Sequence, residues 1–148
     1  MKSLLTAFLI LFGATLFAQL PSAKFFNKMK SVDGTEYSSV KQNGTDSITG
    51  KKIPLFIQTV TVDKDDSLYG KTKVEIEKLI HQKSYTNLIS VNDDGNNLNT
   101  YFFDKEPNFE ILIFTQDSED NISLISYSAK DLSKSEKEQM KNMKISSN

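Results

Sequence analysis

The sequence predicts an α+β domain in which an antiparallel sheet of four to five strands, ending in a C-terminal meander, is packed by two or three helices. Three observations carry this. Four apolar runs in the second half of the chain are separated only by short turn clusters, which forces neighbouring strands to run antiparallel. Two segments before them place apolar residues three and four apart, the helical period. The chain has no cysteine, so the fold depends on an ordinary core without disulfides.

Taken in order, residues 1–18 read as a signal peptide. Lys2 is followed by an uncharged apolar run from Leu4 to Phe17 and by the small residue Ala18. A membrane-spanning helix needs about 20 apolar residues, and Gln19, Pro21, Ser22 and Lys24 interrupt the run too early. Cleavage after Ala18 leaves residues 19–148 as one domain with no membrane span, directed to the periplasm or the exterior. The absence of cysteine also excludes a lipoprotein anchor.

Ser22 to Val32 places Phe25, Phe26, Met29 and Val32 on one helical face, and Asp33-Gly34 supplies a stop. Thr35 to Lys52 is polar, with turn signals at Asn43-Gly44 and Gly50, and its residues leave open a small hairpin or a mobile loop. Ile53 to Val62 is rich in β-branched residues and alternates at its end, with Pro54 at the start, where a missing N–H costs least. A second helix follows, with Tyr69, Thr72, Ile76, Leu79, Ile80 and Lys83 in its stripe. The strands are Thr86 to Val91, Leu98 to Asp104, Phe109 to Gln116 and Ile122 to Ala129. Ser133 and Glu136, at capping-box spacing, then open a last helix with a thin stripe of Leu132, Glu136, Met140 and Met143.

Several chemistries are excluded or disfavoured by composition. All 18 basic residues are lysines, and removal of Lys2 leaves 17 lysines against 19 acids, a net charge of −2. Nucleic-acid binding, which favours a basic excess and arginine forks, is not expected. Asp63, Asp65 and Ser67 begin like a calcium loop, but Leu68 and Val74 stand where that loop requires glycine and glutamate. Asp93, Asp94, Gly95, Asn96 and Asn97 read as hairpin turn chemistry. A single histidine, His81, cannot build a zinc site and lies at a helix end, where the negative pole suits it. No cofactor fingerprint is present, and Glu106 and Glu110 read as surface residues.

The segments "LIHQKSYTNLISVNDDGNNLNTYFFD" and "FEILIFTQDSEDNISLISYSAKDLSK", with the early Phe25-Phe26 helix, resemble the small exported Bacteroidetes proteins classed as domain of unknown function 4252. The resemblance covers roughly Ala23 to Lys134. It implies the fold and an exported address, and it brings no catalytic residues. Thr35 to Lys52 departs from the family pattern, as does the strand ending "SYSAKDLS".

Two functional expectations follow. The first is a non-enzymatic envelope or secreted module that binds a protein segment or an apolar ligand through its sheet, with self-association as one form. Tyr101, Phe103 and Phe114 are the candidate contact residues, because consecutive aromatics on a strand cannot all point inward. The alternative is a carboxylate-based hydrolase of envelope polymers, which needs two acids flanking a cleft.

Overall fold

The structure is a computed structural model that describes residues 20–142; the expected signal peptide, residues 1–18, lies outside them. The element order is α1 (Ala23–Met29), β1 (Glu36–Thr45), β2 (Lys52–Val62), α2 (Tyr69–Ile80), β3 (Thr86–Asp93), β4 (Asn96–Lys105), β5 (Asn108–Gln116), β6 (Ile122–Lys130) and α3 (Lys134–Lys141). The α+β class and the antiparallel sheet are as expected. The sheet has six strands in the order β1-β2-β6-β5-β4-β3, where four to five were expected. The extra strand is the polar stretch after Thr35. It lacks an apolar pattern because it is an edge strand exposed along most of its length, and its pairing comes from β2, from Glu36↔Thr61 to Thr45↔Lys52.

The meander β3-β4-β5-β6 arises from tight local turns. Asp93 pairs with Asn96, so Asp94 and Gly95 alone make the first reversal, with φ of 45° and 83°. Both values are positive, as a type I′ hairpin turn requires, and aspartate followed by glycine tolerates them. The β1-β2 hairpin then reaches β6 by a long-range pairing, Phe56↔Ser128 to Val62↔Ile122.

Strand β5, "NFEILIFTQ", lies in the interior of the sheet, and its first seven residues are all buried. Its alternate residues feed two cores. On one face Leu112 and Phe114 meet Phe25, Phe26 and Met29 of α1 and Ile76, Leu79 and Ile80 of α2, together with Val60, Val62, Ile122 and Leu124. On the other face Phe109, Ile111 and Ile113 join Ile53, Leu55 and Ala129 under Leu132 and Met140. Phe26 is fully buried, and truncating such a phenylalanine to alanine costs about 3–5 kcal/mol.

Strand β2 shows how the layers are offset. Its first half buries Ile53 and Leu55 toward α3, and its second half buries Gln58, Val60 and Val62 toward α1 and α2. Coverage is therefore diagonal: α1 and α2 cover one end of the first face, and α3 covers the opposite end of the second.

Helix α3 is anchored by polar contacts as well as by its thin stripe. Its capping box is formed: the Ser133 hydroxyl accepts from the Glu136 amide, and the Glu136 carboxylate accepts from the Ser133 amide. Glu136 also pairs with Lys51 at 3.0 Å. Gln139 donates to Asp46 at 3.0 Å and accepts from the Ser47 amide and hydroxyl. Lys137 bridges Asp104 and Glu106, at 2.7 and 2.8 Å, and Lys141 lies 4.3 Å above the Phe102 ring.

Candidate functional site

Tyr101, Phe103 and Phe114 are 8%, 7% and 7% exposed, within the core beneath α1 and α2. The expectation that at least one of them is exposed is corrected: odd positions of β4 and even positions of β5 point to the face that α1 and α2 cover. Phe102 takes the opposite face and is half-buried beside Phe109, with ring centroids 6.5 Å apart. The conflict among consecutive aromatics is resolved by a core on each face.

Glu110, expected at the surface, is 0% exposed. It occupies an even position of β5, on the face toward α1, and lies opposite Ser128 and Phe103 in the register. Three hydroxyls from separate segments converge on it. Ser22, immediately before α1, and Ser126 of β6 donate to Oε1, the latter at 2.5 Å. Tyr85, in the connection from α2 to β3, donates to Oε2 at 2.6 Å. Burial pushes the carboxyl pKa up, against the opposing pull of the three hydroxyls. The Tyr85 phenol is pushed far above its ordinary range, first by burial and then by the neighbouring carboxyl. An acid closed off in this way cannot meet a substrate, and it serves instead to tie together Ser22, Tyr85, β5 and β6.

The same sheet row continues to an open region. From Glu110 it runs through Ser128 and Phe56 to Lys41, and there it enters a groove of about 700 Å³ whose lining includes no residue of α1 or α2. Pro54 and Phe56 supply apolar side chains to the lining, which Leu55 and Ala129 border from the sheet beneath, with Ser128, Gln42 and Asn43 as polar groups. Lys41, Lys51 and Lys130 bring three positive charges, and Asp131 one negative. The volume lies within the usual range for small-molecule sites. Asp131, just after β6, has a φ of 54°, and its amide donates to the Pro107 carbonyl, so the chain turns sharply at the groove's rim.

The remaining sequence candidates are dispersed. His81 caps the end of α2, exposed, with Nδ1 2.8 Å from the Glu77 carbonyl oxygen. Asp66 accepts from the Leu68 amide at 2.7 Å, a local turn ahead of α2. Among the described residues no group of three or more histidine, cysteine or acidic side chains could hold a metal ion, and no helix is long and apolar enough to cross a membrane.

Glu110 had a signal in the sequence: it is the one acid inside the doubly apolar "FEILIF", and a strand buried on both faces buries its charge too. The groove had none, since Lys41, Phe56 and Ser128 are brought together by pairings between distant segments.

No curated protein matches the chain. With the antiparallel sheet, the early Phe25-Phe26 helix and the Asp94-Gly95 turn all in place, the chain belongs to the family described as Domain of unknown function (DUF4252), whose model matches residues 20–140.

Proposed function

We propose that the protein is a non-catalytic, exported binding module that holds an apolar molecule bearing an anionic group in the groove between β1, β2 and β6. The observation that carries this reading is the pairing of an apolar lining, centred on Phe56 and Pro54, with Lys41 and Lys130 beside the carboxylate of Asp131. An apolar chain gains from burial along Phe56, while a carboxylate or phosphate head gains from the lysines, which focus positive potential at the rim. Lys51, at the end of the groove, already pairs with Glu136 of α3 at 3.0 Å, so Lys41 and Lys130 carry the charge in this reading. The alternative, a carboxylate-based hydrolase, needs a pair of acids, and this groove offers one.

The test is titration calorimetry of the purified protein with dodecanoate, dodecyl phosphate and dodecanol. Dodecanoate or dodecyl phosphate binds, and dodecanol binds at least tenfold more weakly. Phe56→Ser and Lys41→Glu each reduce binding while leaving the circular dichroism spectrum unchanged. Equal binding of dodecanol, or no binding of either anion, refutes the reading. The exported address rests on the leader pattern of residues 1–18. It is tested by the mass of the protein recovered outside the cytoplasm, expected to begin at or very near Gln19; a full-length chain confined to the cytoplasm refutes it.

A further inference from the structure

We infer that the free edge of β3 pairs with β3 of a second copy, antiparallel about a two-fold axis, to join two six-stranded sheets into one. Among the described residues the sheet ends in two unpaired edges, β1 and β3, and they differ in how they resist pairing. Edge strands are commonly protected by charge, above all lysine, or by proline. Strand β1 carries Glu36 and Lys41, whereas β3, "TNLISVND", has no lysine or proline and a single acid at its end. Its one irregularity is the bulge between Asn87 and Ile89, which leaves Ile89 to Asp93 in regular register.

The hairpin geometry identifies the groups that face outward. In a two-residue hairpin the residues flanking the turn exchange both hydrogen bonds, and such pairs recur at every second position. Asp93, Val91 and Ile89 therefore bond to β4, and Ser90 and Asn92 turn their N–H and C=O groups to the free edge. Ile89 and Val91 are each 48% exposed, and both lie on the face that α3 covers only at its far end, beside Leu98 and Thr100.

Self-complementarity selects the occupant and the register. An antiparallel pair centred on Ser90 places Ile89 opposite Val91 of the partner, twice by symmetry, in the closely spaced non-hydrogen-bonded positions where cross-strand side chains pack best. In this register Asp93 faces Asn87 of the partner, so no like charges meet. Shifting the centre to Val91 would set Ile89 against Asp93. The two-fold arrangement is closed, as most homo-oligomer interfaces are.

The absence of cysteine allows a specific test in the purified chain. Ser90→Cys sits on the axis and is expected to form an intermolecular disulfide under mild oxidation, giving a species of twice the mass. Adding Val91→Lys or Ile89→Lys to Ser90→Cys is expected to abolish that species, with circular dichroism confirming a retained fold. Without oxidation, sedimentation of the unmodified protein should show mass rising to twice the monomer value with concentration, and Ser90→Pro, which removes an outward N–H, should keep it monomeric. A single-chain mass at every concentration overturns the inference. Growth beyond a dimer overturns it too, because it would mean β3 pairs head-to-tail with β1.

Discussion

The Tyr85 hydroxyl offers the sharpest quantitative test of the buried cluster. Glu110 Oε1 receives two donors, from Ser22 and Ser126, and Oε2 receives one, from Tyr85. Tyr85→Phe keeps the ring against Phe103, whose centroid lies 6.2 Å away, and leaves Oε2 of a fully buried carboxyl without its donor. An orphaned buried acceptor costs about 1–3 kcal/mol. Ser126→Ala leaves Oε1 with the Ser22 hydroxyl, so its cost should stay near the ordinary net value of one hydrogen bond, about 1 kcal/mol. Urea unfolding followed by circular dichroism resolves the two: with a slope of about 1–3 kcal/mol per molar for a domain of this size, Tyr85→Phe should lower the midpoint by roughly 1 M and Ser126→Ala by less. The interaction is isolated by repeating Tyr85→Phe in a Glu110→Leu background, where the phenol has lost its acceptor and its removal should be neutral or stabilising. Equal costs in both backgrounds, or a cost below about 0.5 kcal/mol in the native one, would refute the account of Glu110 as a lock that depends on Tyr85.

Burial raises the Glu110 pKa in the fold, so this group's contribution is fully present below the unfolded carboxyl value and is lost as pH rises through the folded one; the group facing it that also titrates is Tyr85, and Glu110→Gln should flatten that decline in a pH series of melting temperatures. Asp46 acts with the opposite sign. Hydrogen bonding, first from Gln139 and then from the Ile48 and Thr49 amides, lowers its pKa to about 2, so its contribution is present above the ordinary value of 3.8 and lost as pH falls toward 2; Gln139→Ala should reduce the acid-side loss. Among the described residues the buried Thr100 hydroxyl has no hydrogen-bond partner, and Thr100→Val, which replaces it with a methyl among Ile113 and Ile89, should raise stability by about 1 kcal/mol in urea unfolding. Ser133→Ala removes the α3 cap and should cost about 1 kcal/mol, with faster amide exchange across Lys134–Lys141.

What the sequence determined by itself is local. The Phe25-Phe26 helix, the stripe of Thr72, Ile76, Leu79 and Ile80, the Asp94-Gly95 reversal and the Ser133/Glu136 capping box each depend on residues within a few positions of one another, so periodicity and turn chemistry were enough to place them. Family membership was legible for the same reason, since the motifs that carry it are turns and core stripes. Tertiary structure decided which faces those elements cover. Strand β1 has almost no apolar signal, because an edge strand takes its order from its neighbour's backbone hydrogen bonds rather than from burial of its own side chains. Tyr101, Phe103 and Phe114 became core and Glu110 became an interior acid because α1, seventy or more residues earlier, returns over that face. The groove at Lys41, Phe56 and Ser128 and the bare edge at Ile89 and Val91 are consequences of where the helices end. Neither could be read from spacing, because a groove or an edge is set by the packing of distant segments and leaves no period in the chain.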